Sequence, residues 1–314
     1  MVSDDVVVQA ARDADAAARA AGVTVREVSE VDELAVVGDL FTDVWGKPEV
    51  TTELLRAFSK TGSYVGGAFR DGTLVGACVA FHSAPQQRSL HSHVAAVTPG
   101  TGGRGVGFAL KVHQRAWALA LGLDEIAWTY DPLIARNAHF NITKLAARPA
   151  EYLPNFYGRV SDAINGGEDS DRVLVRWDLR APEVAAACAP GRAGGSGQAG
   201  GSGRAGAADV GPADGAGPDT VGPDAVGPDA VGPDAVGPDA VGPDAVGPDA
   251  VDPDAVVPVP ADIEGLRATD PAAAHDWRLR LRESLGPHLA AGAAVGFDRE
   301  RGYLIHAPIE GACP

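Results

Sequence analysis

The stretch Val97–Lys111, "VTPGTGGRGVGFALK", decides how the chain is read. A β-branched run stops at Pro99, glycines cluster from Gly100 to Gly107, and a helical pattern follows. Strand, glycine-rich loop and helix together make an anion seat, because the first amides of a helix have no internal acceptor. Three phosphate-binding patterns compete for it. Gly100-x-Gly102-x-x-Gly105 spells a dinucleotide fingerprint. That fingerprint needs an acidic residue at the end of the next strand, whereas Asp124 stands before it. A nucleoside-triphosphate loop fails, since no Lys-Ser or Lys-Thr follows the glycines. The third pattern depends on the elements around the loop.

Working outward, residues 1–181 read as one folded unit. Residues 4–21, 32–46 and 50–61 have helical patterning, and "VTVREVSEV" (23–31) alternates like a strand. "SYVGGAFRDG" and "TLVGACVAFHS" form a hairpin on an Asp71-Gly72 turn. "SLHSHVAAV" (89–97) is the strand before the glycine loop, and the helix after it runs from about Gly105 to Leu121. "DEIAWTY" (124–130) is a strand. Asp131-Pro132 reads as the start of a helix lasting to about Ala147. A long loop over 151–170 and a strand at 171–179 complete the order β-α-α-β-β-β-α-β-α-β.

Residues 182–258 change character. A Gly/Ser stretch leads into six "VGPDA" repeats at 221–250. Proline, glycine and evenly spaced aspartate leave nothing with which to build a core, so a disordered acidic tether is expected. Over 65 residues it would span roughly 45 Å. Residues 192–256 hold 11 Asp against Arg192 and Arg204, a net −9, so the rest of the −16 chain carries −7. That acidity argues against nucleic acid as a partner. No apolar run suits a membrane, and three scattered cysteines with no leader-like N-terminus suggest a cytoplasmic protein. Residues 259–314 regain folded character: a helix with a break expected at Gly286-Pro287, then a hairpin turning near Glu300–Gly302. Fewer than 60 residues make a poor core alone, so this segment is expected to pack on the first domain.

The third pattern is "GGRGVG", Gly102 to Gly107. It resembles motif A of the GNAT acyltransferase superfamily, usually written Q/R-x-x-G-x-G/A, with Val97-x-Pro99 before it and Gly102 at the Q/R position. "DPLIARNAHFNITKL" (131–145) resembles the closing helix of that family, with Ala138, Lys144 and Leu145 in register. Ile142 occupies the place where many members carry an acid tyrosine. "YLPNFYG" (152–158) and the C-terminal "VPADIEGLR" resemble one GNAT subgroup. The resemblance implies an α/β fold with a mixed, mostly antiparallel central sheet flanked by helices. It also implies an acyl-CoA-dependent N-acyltransferase. The acceptor would be a small-molecule amine or amino acid, and the donor acetyl-CoA or another short acyl-CoA, succinyl-CoA included. No metal is expected. A non-catalytic acyl-CoA-binding or protein-interaction module is the competing reading.

On that resemblance, Gly102, Gly103, Arg104, Gly105, Val106 and Gly107 would hold the diphosphate of coenzyme A. An amide among Ala95, Ala96 and Val97 would meet the oxyanion. His91 and His93, two apart on one strand, face one side and are the candidate bases. Tyr157 is the candidate acid in place of Ile142. Asn137, Asn141 and Lys144 form a polar stripe at helical spacing for the cofactor. Asp131, Asn155, Arg159 and Arg172 are candidates for holding the acceptor, the arginines through a carboxylate.

Overall fold

The computed structural model describes residues 4–99, 105–158, 169–190 and 254–307. Most of the expected tether, from 191 to 253, lies outside them. In chain order the elements are α1 (Asp4–Ala20), β1 (Thr24–Glu27), α2 (Val31–Trp45), α3 (Thr52–Lys60), β2 (Tyr64–Arg70), β3 (Thr73–His82), β4 (Ser89–Val97), α4 (Val106–Ala120) and β5 (Glu125–Tyr130). They continue with α5 (Ala135–Ala138), β6 (Arg148–Leu153), β7 (Arg172–Asp178), α6 (Pro182–Cys188), β8 (Ala255–Val257), α7 (Ile263–Thr269), α8 (Pro271–Ala290), β9 (Ala294–Asp298) and β10 (Gly302–His306).

The first seven strands form one sheet in the order β1-β2-β3-β4-β5-β7-β6. Every neighbouring pair is antiparallel except β4 with β5. The expected fold class, a mixed and mostly antiparallel sheet flanked by helices, is the one observed. The hairpin forms as read: Asp71 (φ 50°) and Gly72 (φ 79°) both take the left-handed conformation that a two-residue turn needs. Alternation along β3 sorts the core into two layers. Ala77 and Val79 pack with α2 and α3, through Leu34, Val37, Phe41 and Leu55. Cys78 and Ala80 face the opposite layer, which contains α1, α4 and the residues of β5 and β7.

Five expectations are corrected. No continuous helix covers 131–147: α5 starts at Ala135 and passes at once into a π-helix, His139–Lys144. Asp131 does not cap it, because its carboxylate accepts from Leu133 N at 3.0 Å and pairs with Arg267. The loop expected over 151–170 opens as strand β6. Residues 182–188 and 255–257, assigned to the tether, are structured. Val184, Ala187 and Cys188 of α6 are buried, and β8 joins β10 and β9 in a three-stranded sheet. Helix α8 runs through Gly286-Pro287 without a break.

The C-terminal elements share the apolar layer of β5 and β7, contributing Ile263, Ala274, Leu281, Leu285, Phe297 and Tyr303. Polar contacts fix their placement. Tyr303 donates to Pro132 O at 2.8 Å and meets the Tyr130 hydroxyl at 3.1 Å. Thr143 donates to Phe297 O, Arg136 pairs with Glu264, and Arg267 pairs with the buried Asp131 at 2.5 Å.

Candidate active site

Strands β4 and β5 pair only over Ser89–His91 and Glu125–Ala127. Beyond His91 they have no mutual register, so the sheet forks there, and the fork opens toward the start of α4. One edge of this opening is the backbone of β4. Thr98 N donates to Val75 O at 3.0 Å, and Ala77 is opposite Ala96. In an antiparallel ladder the bonded direction alternates, so Ala96 turns its N–H and C=O to β3, while Ala95 and Val97 turn theirs into the fork. Of the three strand amides, Ala96 is committed to the ladder, and those of Ala95 and Val97 are not.

At the mouth of the fork, Gly105 holds φ 76° at the N-cap of α4, with no side chain capping the helix. A Cβ at Gly105 would meet no atom of the described residues within 4 Å. The first i→i−4 bond is Ala109 N to Gly105 O, 2.9 Å. The amides of Val106, Gly107 and Phe108 thus have no acceptor inside the helix, and no acidic residue stands in its first turn. Gly102, Gly103 and Arg104 lie outside the described residues.

His91 and His93 are brought together, with ring centroids 6.1 Å apart. Both pack on Phe81, which stacks on Phe58 of α3. The grouping has a local cause. Val79 is opposite Val94 but Ala80 is opposite Ser92, so His93 is the extra residue of a β-bulge. Burial, with His93 and Lys111 close by, holds the His91 imidazole down to about 4. Burial lowers His93 as well. Both rings are neutral near pH 7, the form that accepts a proton.

The closed end of the fork holds a group that sequence reasoning missed. Lys111, on the second turn of α4, is fully buried and has no carboxylate partner among the described residues. Its Nζ donates to Ser92 Oγ at 3.1 Å and to Gln114 Oε1 at 3.0 Å, and lies 3.7 Å above the Trp128 ring. Gln114 passes the contact on to Cys78 Sγ, 3.2 Å. Ser92 and Trp128 are the first residues past the last paired positions of β4 and β5, so the ammonium stands where the strands part. Burial pulls it down to about 8. One signal was present in the sequence: Lys111, Gln114 and Arg115 share a helical stripe with Gly107 and Ala118, and that stripe faces inward.

The polar stripe on the following helix does not survive as drawn, because the π-helix shifts its spacing. Asn141 is buried, and its Oδ1 accepts from Trp128 Nε1 at 3.2 Å. Asn137 is buried too, and its Nδ2 has no acceptor among the described residues. Lys144 is half-buried at the end of the π turn. Asp131 is engaged inside the protein. Burial works to raise its carboxyl, but Arg267, Arg278 and Arg172 outweigh it and hold the group well below the usual range. That removes it from the acceptor-holding set.

Tyr157 lies on the histidine side of the sheet, its hydroxyl 3.2 Å from Thr129 Oγ1 on β5. The buried guanidinium of Arg172 stands 5.3 Å over the Tyr157 ring and donates to Asp171 O. Asn155 is a turn residue (φ 48°) whose Oδ1 accepts from Ser170 N. That bond ties it into the loop it turns. Arg159 lies outside the described residues. Among the described residues no cluster of three or more ligating side chains suits a metal, and no helix is long and apolar enough to cross a membrane.

No protein-family model and no curated protein matches the chain. Solved structures do. An N-acetyltransferase from Staphylococcus aureus Mu50 aligns at 16% identity over 50% of this chain and 99% of its own, with a TM-score of 0.43. An acetyltransferase of the GNAT family from Streptococcus pneumoniae aligns at 14% over 49% and 97%, TM-score 0.40. The ribosomal-protein-S18-alanine N-acetyltransferase from Escherichia coli aligns at 13% over 50% and 94%, TM-score 0.42. All three are acetyltransferases. At these identities and scores their activities do not transfer to this chain.

Proposed function

We propose that the chain is an acyl-CoA-dependent N-acyltransferase. It would move an acetyl or other short acyl group, succinyl included, to the amine of a small molecule or amino acid. One observation carries the reading: the β4–β5 fork, with the open amides of Ala95 and Val97 on its edge, leads from the uncapped start of α4 to a pair of neutral histidines.

The roles follow from the chemistry. The amides of Val106, Gly107 and Phe108 hold the diphosphate. Ala95 and Val97 N–H groups receive the thioester arm and the oxyanion, which grows in a site away from water where such donors count most. Acceptor amines have pKa values of about 8–10 and must lose a proton before attack. His93 or His91 takes it, directly or through a water. The amine nitrogen then forms its bond to the carbonyl carbon, the carbon–sulfur bond breaks, and the nitrogen releases its second proton to solvent. The departing thiolate collects the Tyr157 hydroxyl proton, and the histidine and tyrosine exchange protons with solvent to reset.

The test is thiol release. The full chain is incubated with acetyl-CoA or succinyl-CoA and a pool of amino acids, and free CoA is followed. Binding is followed in parallel by thermal shift, where a ligand at 100 times its Kd stabilises by about 2.7 kcal/mol. Turnover supports the enzyme; binding without turnover replaces it with an acyl-CoA-binding module; no binding overturns both.

A further inference from the structure

We propose that Arg282, on α8 of the C-terminal segment, is a positioning residue that sets Tyr157 for the transfer step. The inference rests on the reading of Tyr157 as the proton donor, and goes beyond it by tying that role to an element far along the chain. The connection is a continuous run of hydrogen bonds. The Arg282 guanidinium donates through Nε to Asp171 Oδ2 at 2.8 Å and through Nη2 to Asp171 Oδ1 at 2.6 Å. Nη2 also reaches Asp169 Oδ2 at 3.0 Å. Asp171 is fully buried and accepts two further bonds, from Asn155 N at 3.0 Å and the Tyr152 hydroxyl at 2.9 Å.

The neighbouring Ser170 carries the order forward. Its hydroxyl accepts from Tyr157 N at 2.8 Å and donates to Gly158 O at 2.7 Å, and its carbonyl accepts from Phe156 N at 2.9 Å. The tip 155–158 therefore hangs on 169–171, and 169–171 hangs on Arg282. Asn155 sits at φ 48°, a conformation that costs energy unless its surroundings hold it. Tyr157 is 38% exposed, and its ring meets Phe156 at 4.7 Å between centroids and the Arg172 guanidinium at 5.3 Å. Its hydroxyl meets the short Thr129 side chain on β5. A proton donor displaced by 1 Å loses about 10²-fold in rate, so the support matters as much as the phenol.

The test uses the full chain as wild type, Arg282→Gln, Tyr157→Phe and the double variant, with acetyl-CoA and an amino-acid pool. Tyr157→Phe and Arg282→Gln are each expected to lower kcat by about 10²-fold, with KM for acetyl-CoA within about twofold. The double variant is expected to be no slower than Tyr157→Phe, because removing the support costs nothing once the phenol is gone. Arg282→Lys keeps the charge and loses the fork, and is expected to recover part of the rate. Amide exchange gives a readout free of turnover: in Arg282→Gln and Arg282→Lys the Phe156 and Tyr157 amides exchange about tenfold or more faster, and those of β4 do not change. Losses that multiply in the double variant, an unchanged kcat in either single variant, or unchanged exchange at Tyr157 overturn the proposal. A wild type that neither binds acetyl-CoA nor releases thiol overturns the proposed function itself, and the exchange rates then decide separately whether Arg282 supports the loop.

Discussion

Lys111 and His91 show what burial does to charge when partners are few. The ammonium touches a hydroxyl, an amide oxygen and an indole face, all neutral, and its charge reaches the neighbouring imidazole. Lys111→Met therefore removes a repulsion, and the His91 pKa is expected to rise above about 4, while burial and His93 still hold it below 6.5. Titration of the His91 ring by NMR in both proteins checks this; an unmoved value refutes the coupling. The same depressed imidazole bears on stability. Between pH 6.5 and about 4 the unfolded chain binds a proton at this position that the folded chain does not, so stability is complete above pH 6.5 and is lost as pH falls through that window. Urea titrations at pH 7 and pH 5 measure the difference. Lys111→Met is expected to reduce it, since the folded imidazole then binds its proton at a higher pH.

The fork makes a prediction about backbone chemistry, which side-chain scanning misses. Ala95→Pro removes an N–H that points away from β3, whereas Ala96→Pro removes a ladder bond to Ala77. Ala95→Pro is expected to remain folded and to lose about 10²–10³-fold in turnover. Ala96→Pro is expected to unfold at a lower temperature by calorimetry. The elements around the fork were legible because their signals are local. Ser89–Val97 alternates, Asp71-Gly72 turns, and Gly105 and Gly122, both at positive φ, bracket α4. The helix after Asp131-Pro132 was misread for a tertiary reason. The carboxylate that would have capped it pairs with Arg267, which is 136 residues away in sequence. The bulge at His93 and the burial of Lys111 also depend on partners across the sheet. Ala96 could not be separated from Ala95 and Val97 until the ladder's phase was known.

At the scale of the molecule, the C-terminal segment completes the core rather than decorating it. Three guanidiniums, from Arg267, Arg278 and Arg172, converge on Asp131, two of them from that segment. Asp131→Asn keeps the side-chain shape and removes the charge they surround. It is expected to cost about 3–5 kcal/mol, because a buried cluster of cations loses a shared counter-ion. Denaturant unfolding measures this, and a loss under about 1 kcal/mol would show that the arginines are compensated elsewhere. The expectation that residues 259–314 pack on the first domain was drawn from their small size alone. Its chemistry was not legible, because the partners of Arg267 and Arg282 lie more than 100 residues away in sequence.

Asp171 and Arg282 are separated by 111 residues. A ribosome adding about 5–20 residues per second adds the arginine roughly 5–20 s after it adds the aspartate. During that interval the β6–β7 edge has a carboxylate destined for the interior and no cation to neutralise it. The ion pair can form only after that interval, so completion of this edge waits on translation of the stretch between them.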